Sequence, residues 1–167
     1  MQSESELSRA ERARVPILLT AWTTANRIDE LMTLELAAER VGTTQFALLS
    51  MIHVIEPVTP KRLAAEMGLP AATLSDRLRD LFDLGHIGRQ PNPDDGRSYV
   101  ISTTAAGRRA LDRAAPAVRR AYEALVQELD LMFGEVEATV DKLNRALDAA
   151  LAKRRRSTAK PRRQRYG

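Results

Sequence analysis

The feature that most constrains this fold is a change in the spacing of apolar residues between Thr59 and Ser102. In the first part of this stretch, apolar residues recur at the spacing that places them on one side of a helix. In the last part they alternate with polar residues, which is the spacing of a half-buried strand. The stretch therefore predicts two short helices followed by two short strands.

Residues typical of helix ends divide the helical part in two. Thr59 followed by Pro60 predicts a helix start, because a threonine side chain caps the first turn and proline fits the first helical position. Gly68 and Gly85 predict the two helix ends, since glycine accepts the backbone conformation that is common there. The second helix is expected over Ala71–Leu84, with one apolar face formed by Leu74, Leu78 and Leu81.

A dense turn signal divides the alternating part. Strands are expected at Ile87–Gln90 and Tyr99–Ser102, and the Pro-, Asn- and Gly-rich segment Pro91–Arg97 between them predicts an extended hairpin tip. Helix, tight turn, helix and hairpin in this order form a winged helix-turn-helix. The expected fold class is mainly α with a small β-hairpin wing.

Longer helical patterns flank this winged lobe. The first begins at Pro16 and is expected to end near Gly42, with Gly42 as its C-cap, so that Thr43 or Thr44 caps the next helix. After the hairpin, two helices are expected over residues 105–132 and 135–152. The last one carries a narrow apolar seam formed by Val136, Val140, Leu143, Leu147 and Leu151.

The long helices exceed what one winged lobe can cover. The seam is open to two interpretations, an ordinary intramolecular stripe or an interface with a second copy, and the second is the simpler because two-fold dimers are the commonest oligomers. The organisation expected is an N-terminal arm and dimerisation helix over residues 1–42, a DNA-binding lobe over 43–103, dimerisation helices over 104–152 and a basic disordered tail over 153–167.

Charge is distributed very unevenly along the chain. The tail has eight of the 26 Lys and Arg residues and no acid, which leaves 18 bases against 22 acids in the rest. A basic extension on an acidic body indicates an anionic partner such as nucleic acid, although a tail that only improves solubility is the alternative. The stretch from Ile55 to Val100 has six bases and seven acids, which is unfavourable for a purely electrostatic DNA binder.

A winged helix-turn-helix suits double-stranded DNA, because a helix fits the major groove and a hairpin tip reaches the backbone or the adjacent minor groove. Base contacts are expected from the N-terminal half of the second helix, at Ala71, Ala72, Ser75, Asp76 and Arg79. Backbone contacts are expected from Lys61, Arg62, Thr73 and Arg77, and Arg97 is the candidate at the wing. The alternative function, favoured by the acidic lobe, is an interaction or architectural module that does not read bases.

The winged stretch resembles the MarR family of bacterial transcriptional regulators over roughly Thr43 to Leu111. The resemblance is carried by Gln45–Leu49, Leu63–Leu69, Thr73–Ser75, Leu81, Gly85–Arg89 and Pro93–Arg97, followed by Thr104 and Gly107. It implies a homodimer that binds a pseudo-palindromic DNA operator, acting as a repressor or, less often, an activator. It also implies a pocket for a small aromatic or anionic effector that releases DNA.

Because the first and second helices border that pocket in the family, Trp22, Met51 and His53 are candidates to line it; a plain core role is the alternative for a lone tryptophan on an apolar face. Three positions depart from the family pattern. Asp76 and Gly96 stand where many members have arginine, which removes positive charge from positions expected to face DNA. Thr103 replaces an apolar residue and is expected to affect only the packing of the wing.

Several function classes are not expected. The absence of cysteine excludes disulfides, thiolate nucleophiles and thiol-oxidation sensing, and is compatible with a cytoplasmic location. Asp94 and Asp95 are explained by their turn, and nothing converges on the other acids, so no enzyme, catalytic residue or cofactor is expected. With only His53 and His86, no metal site is expected. The apolar stretch Phe46–Ile55 is too short to span a membrane.

Overall fold

The computed structural model describes residues 15–39, 41–129 and 133–158. Within these ranges the chain forms six helices and one two-stranded antiparallel sheet. The elements in chain order are α1 (Val15–Leu36), α2 (Thr43–Ile55), α3 (Pro60–Glu66), α4 (Ala71–Asp83), β1 (Ile87–Asn92), β2 (Asp95–Thr103), α5 (Ala105–Glu128) and α6 (Phe133–Thr158). The predicted fold class, mainly helical with one small hairpin, is confirmed. The chain divides into two units, Met1–Tyr122 and Glu123–Gly167.

The winged lobe is built around one apolar cluster. Helices α2, α3 and α4 and both strands contribute to it, because each has a single apolar face that must be removed from water. The residues with the least exposure are Leu48, Leu49, Ile52, Val58, Leu63, Leu74, Leu81 and Ile101. The three leucines predicted to form the apolar face of α4 are all buried, so that its opposite face is directed to solvent.

The helix boundaries around the helix-turn-helix follow the predicted residues. The Thr59 hydroxyl accepts a hydrogen bond from the Arg62 backbone N–H at 3.3 Å, and Pro60 occupies the first helical position. Gly68 and Gly85, which follow α3 and α4, have φ values of 62° and 66°. Residues other than glycine rarely adopt that backbone conformation, so these two glycines end their helices as expected.

The wing differs from its prediction at the tip. The strands continue into the turn-rich segment, and Asn92 pairs with Asp95 across a two-residue turn at Pro93 and Asp94. The pairing register shifts between Pro91 and Asn92, so the extra residues form an irregularity in β2. The tip is therefore a short closed turn, and the expectation of an extended tip over Pro91–Arg97 is wrong.

The start of the lobe also corrects the sequence interpretation. Helix α1 ends at Leu36, not near Gly42, and Val41 is buried with Leu36 in a second small apolar cluster. Gly42 has φ −76° and ψ 155°, which is extended backbone, and it is the N-cap of α2. Its backbone N–H donates to the Gln45 side chain at 3.4 Å. Gly42 is thus not a C-cap, and the next helix begins at Thr43 without a threonine cap.

The two C-terminal helices differ from their expected bounds, because α5 ends at Glu128 and α6 extends beyond residues 135–152 at both ends. Helix α6 begins at Phe133 and continues to Thr158, so the expectation of a disordered tail is wrong for residues 153–158. The apolar residues of its predicted seam are incompletely covered: Val140, Leu147 and Leu151 are 40–50% exposed. Residues 159–167, like the arm over residues 1–14, lie outside the described ranges.

Helix α1, like α6, has apolar side chains that remain exposed. Only Leu36 is buried among its described side chains, whereas Ile17, Leu18, Leu19, Trp22, Ile28 and Leu34 are each more than half exposed. Exposed apolar faces of this kind are typical of surfaces that pack against another chain. Within the described ranges, no helix has the combination of length and apolarity needed to cross a bilayer.

Candidate nucleic-acid interface

The outer face of α4 is open to solvent at its N-terminal half. The five residues predicted to contact bases, Ala71, Ala72, Ser75, Asp76 and Arg79, are all exposed. The Ser75 hydroxyl donates to the Ala71 carbonyl at 2.9 Å, which holds that side chain close to the helix. Because three of the five side chains are very small, this face can approach a surface closely.

An ion pair occupies the charged part of this face. Arg79 Nη2 donates to Asp76 Oδ1 at 3.1 Å, one helical turn away, and the two side chains are 68% and 72% exposed. A pair so accessible to water contributes little to folding stability, typically about 0.2–1 kcal/mol. The ion pair is therefore important for the charged groups that it presents at the surface, and not for folding stability.

The residues predicted to contact phosphate lie at the borders of the same face. Thr73 and Arg77 are half-buried on the flanks of α4, while Lys61 and Arg62 are exposed at the start of α3. Arg62 Nε lies 3.6 Å from Glu66 Oε1, one turn further along α3. Both groups of side chains lie on the helix-turn-helix.

The wing tip presents Arg97 on a firmly hydrogen-bonded turn. Asp95 Oδ1 accepts from the Arg97 backbone N–H at 3.0 Å, and Asn92 Nδ2 donates to Ser98 Oγ at 2.8 Å. Asn92 Oδ1 also accepts from the Asp94 backbone N–H at 3.1 Å. The side chains of Asn92 and Asp95 therefore shape the turn, and Arg97 remains exposed above it.

A cleft of about 400 Å³ lies between the wing and α4. It brings one arginine of β1, Arg89, and Tyr99 of β2 next to Ser75 and Arg79 of α4. The cleft is completed by Leu78 and Phe82. Helix and hairpin thus form a continuous surface that includes two arginines.

A partly buried network of hydrogen bonds holds the base of the wing. Glu56, at the end of α2, accepts hydrogen bonds from the backbone N–H and the hydroxyl of Thr103, the latter at 2.7 Å. His53 Nδ1 lies 3.2 Å from Glu56 Oε1 and 3.3 Å from Thr103 Oγ1, and Arg108 of α5 donates to the Thr103 carbonyl at 3.0 Å. Thr103 therefore connects three elements, and the expectation that it affects only wing packing is wrong.

The network changes the titration of its carboxylate. Burial alone would raise the pKa of Glu56, but the hydrogen bonds from Thr103 and the neighbouring His53 outweigh it and lower that pKa below its usual 4.5. The network thus favours an ionised Glu56 in the folded lobe.

A second junction attaches α5 to the end of α4. The Thr104 backbone N–H donates to the His86 carbonyl at 2.9 Å, its hydroxyl donates to the Gly85 carbonyl at 2.7 Å, and the Gly107 backbone N–H donates to that hydroxyl at 3.1 Å. A Cβ atom at Gly107 would lie 2.1 Å from the His86 carbonyl oxygen, so any side chain there would require the backbone to shift. The Thr104 and Gly107 signature is thus explained by packing.

The predicted effector-pocket residues are not brought together. Trp22 is 65% exposed on α1, and Met51 is packed against the core of the lobe. His53 does border a cavity of about 330 Å³ between α2 and α5, and its other lining residues are Phe46, Ser50, Val54, Arg108, Leu111, Asp112 and Ala115. In the described part of the chain, no group of three His, Asp or Glu side chains could hold a metal ion.

Sequence reasoning missed the residues of α5 and of the wing cleft. Arg108 and Asp112 lie in the first turns of a helix whose start the sequence predicts. Their proximity to α2, however, depends on how α5 packs. Arg89 and Tyr99 lie within the predicted strands, each two residues from a buried apolar residue, and this spacing is the signal that places them on the inner face of the hairpin.

Comparisons with known proteins give the same fold. A sequence model described as the MarR family matches residues 43–99. The transcriptional regulator MOSR of M. tuberculosis, solved in complex with DNA, is 26% identical with a TM-score of 0.69, over 80% of this chain and 96% of that one. The transcriptional repressor CouR, bound to a 23-mer DNA duplex, is 25% identical with a TM-score of 0.65, over 86% and 99%.

A mutant of MarR from E. coli, solved with operator DNA, is 23% identical with a TM-score of 0.69, over 86% of this chain and 99% of that one, and shows the fold alone. No curated protein matches the chain in sequence. The winged lobe over residues 43–99 thus matches the MarR family model, and solved structures similar to the chain are transcriptional regulators of the same winged helix-turn-helix fold.

Proposed function

We propose that this protein is a transcriptional regulator that binds double-stranded DNA as a homodimer, with α4 as the recognition helix in the major groove and the wing beside it. The observation that carries the proposal is the exposed N-terminal half of α4, joined by a cleft to a wing with Arg97 at its tip. This is the half of a recognition helix that reaches base edges in helix-turn-helix proteins. The DNA complexes of MOSR and CouR support the assignment.

The exposed apolar faces of α1 and α6 support the homodimer. Two copies of an exposed apolar helix face can cover each other around a two-fold axis, which is the commonest symmetry of soluble oligomers. A dimer would carry two recognition helices and would read a pseudo-palindrome with half-sites about 34–36 Å apart.

The experiment that tests this function is selection of bound fragments from a genomic DNA library at about physiological salt. One pseudo-palindrome with half-sites a helical turn apart is the expected result. Binding without any motif would instead support the architectural module, because sequence-specific regulators bind their sites about 10³–10⁷-fold more tightly than other DNA.

The same selected site tests the wing. The Arg97→Ala variant is expected to bind it less tightly, because an arginine at a hairpin tip contacts phosphate or the minor groove. Arg109→Ala is the matched control, since it removes an exposed arginine from α5 and is expected to leave affinity nearly unchanged. Equal affinities of both variants and the native protein would remove the wing from the interface.

The basic C-terminal segment is proposed as a second source of attraction to DNA. Lys153, Arg154, Arg155 and Arg156 are exposed on the last turns of α6, and four further bases follow in the sequence. Replacing these four residues with glutamine should reduce the slope of log affinity against log salt by about 0.9 for each phosphate that is no longer neutralised. An unaltered slope would show that this segment does not touch phosphate.

The cavity between α2 and α5 is the candidate effector site. Its volume of about 330 Å³ is that of a small-molecule pocket, and it combines apolar walls with Arg108, which suits an aromatic anion. Benzoate serves as the probe: it should weaken DNA binding by the native protein and by Arg109→Gln, but not by Arg108→Gln. A response that is equal in all three proteins would place the anion elsewhere.

A further inference from the structure

We propose that the Asp76–Arg79 ion pair makes the recognition helix specific for one C·G base pair in each half-site, with Asp76 reading cytosine and Arg79 reading guanine. The inference rests on the proposed DNA-binding function and adds the bases that these side chains select.

The first observation is the composition of the exposed face of α4. Of residues 71–79, the exposed ones are Ala71, Ala72, Ser75, Asp76 and Arg79. The three small side chains allow the helix to lie deep in a groove, and they have little capacity to discriminate among bases. Asp76 and Arg79 are the exposed charged residues of this half, so base discrimination depends on them.

The second observation is the sign of the charge at Asp76. A carboxylate is repelled by phosphate, so Asp76 weakens the attraction between the helix and the DNA backbone. In the major groove, a carboxylate is complementary only to a base edge that donates hydrogen bonds. Guanine and thymine present acceptors there, whereas cytosine presents its N4 amino group as a donor with no acceptor. Asp76 therefore favours cytosine and rejects guanine and thymine.

The third observation is the geometry of the pair. Arg79 Nη2 and Asp76 Oδ1 are 3.1 Å apart, so a donor group and an acceptor group are held side by side. The C·G edge has the complementary order, because cytosine N4 and guanine O6 are themselves joined by a hydrogen bond across the pair. Arginine can bind guanine O6 and N7 together, while the ion pair keeps Asp76 directed at the amino group.

An A·T pair fits this arrangement less well. Adenine offers an amino donor, but its N7 acceptor lies next to that donor and would face the Asp76 carboxylate. Thymine offers Arg79 a single acceptor beside a methyl group, which prevents a bidentate contact. The ion pair thus selects C·G over A·T on both strands.

The test is selection from a random duplex library by the native protein and three variants of the full chain. Asp76→Asn is expected to change the preferred base at one position of each half-site from cytosine to adenine, because asparagine binds adenine N6 and N7 together. The preference for cytosine should fall about 5- to 150-fold. Arg79→Lys is expected to weaken the preference for guanine in the same base pair.

Asp83→Asn is the matched control. It removes the same charge from an exposed residue of α4, but in its last turn, so it should select the native motif. Thermal denaturation of all four proteins verifies that they are folded.

The outcomes separate the two proposals. A native motif in which Asp76→Asn and Asp83→Asn select the same bases as the native protein would overturn the ion-pair inference and leave the DNA-binding function intact. Failure of the folded native protein to select any motif would overturn both.

Discussion

Helices α4 and α6 have similar apolar spacing in the sequence, but their apolar faces differ in how far they are buried in the structure. On α4, Leu74, Leu78 and Leu81 are 0–3% exposed because α2, α3 and the wing cover them. On α6, Val140, Leu147 and Leu151 remain 40–50% exposed. Periodicity therefore establishes which face of a helix is apolar, whereas the neighbouring elements decide whether that face is buried.

This difference in burial distinguishes the residues that should stabilise the lobe from those that should hold two copies of the protein together. The lobe has its own core, so its folding should depend on its own leucines. The faces of α1 and α6 stay exposed within one copy, so their contribution should depend on a second copy. Substitutions in the two regions test that division, in decreasing order of expected effect.

Leu63→Ala in the lobe core should have the largest effect. Leu63 is fully buried, and truncating a buried leucine typically costs about 2–5 kcal/mol of unfolding free energy. Leu84→Ala is the control, since that side chain is 51% exposed and should cost far less. Urea denaturation measures both, and equal decreases would contradict the assignment of the core.

Leu147→Glu on α6 should weaken the proposed dimer. A charge in an apolar interface is expected to raise the dimer dissociation constant at least about tenfold, which corresponds to about 1.4 kcal/mol. Analytical ultracentrifugation over a range of concentrations measures it. Asp148→Ala, at the next exposed position, should leave the dissociation constant nearly unchanged. If both variants behave like the native protein, α6 does not form the interface.

Glu56→Gln should remove a pH-dependent contribution to stability. Because folding lowers the pKa of Glu56, the ionised carboxylate stabilises the lobe fully above its usual value of 4.5, and this contribution disappears as the pH falls through the folded pKa. The variant should be less stable by about 1–2 kcal/mol at neutral pH and should show a flatter acid limb.

The control for this pH experiment is Glu66→Gln. It removes a carboxylate from an exposed pair on α3, and surface pairs contribute little. An acid limb as steep in Glu56→Gln as in Glu66→Gln would show that the Thr103 network does not stabilise the carboxylate.

His86→Phe should have the smallest effect. Burial and the nearby Arg113 lower the pKa of His86, and its Nδ1 has no hydrogen-bond partner among the described residues. The neutral ring is therefore favoured on folding, so stability is complete above pH 6.5 and declines as the pH falls toward the folded pKa. Thermal melts between about pH 5 and pH 7 should vary less with pH for His86→Phe than for His53→Gln, which replaces the other histidine. An equal pH dependence in the two variants would show that His86 does not titrate on unfolding.

Local residues explain which parts of the fold were predictable. Thr59, Pro60, Gly68 and Gly85 act on their own turn of backbone, so their roles follow without knowledge of the tertiary structure. The prediction at Gly42 is wrong because an apolar pattern continues past Leu36, although the chain turns there to bury Val41. The prediction at the wing tip is wrong because turn-forming residues also occur in irregular strands.

The candidate interface was predictable to the extent that it lies on one helix. The exposed positions of α4 follow directly from the spacing of its buried leucines. The Glu56–Thr103 contact joins residues 47 positions apart, and the cavity beside His53 depends on where α5 packs. Such contacts are determined by tertiary packing, which leaves no local pattern in the sequence.

The missing side chain at Gly107 has a mechanical consequence for the lobe. With no slack between α5 and the His86 carbonyl, and with Thr104 bonded to the residues that end α4, the first turn of α5 cannot slide along its neighbour. The start of α5 and the end of α4 therefore meet in direct backbone contact, and a larger residue at position 107 would force the two helices apart.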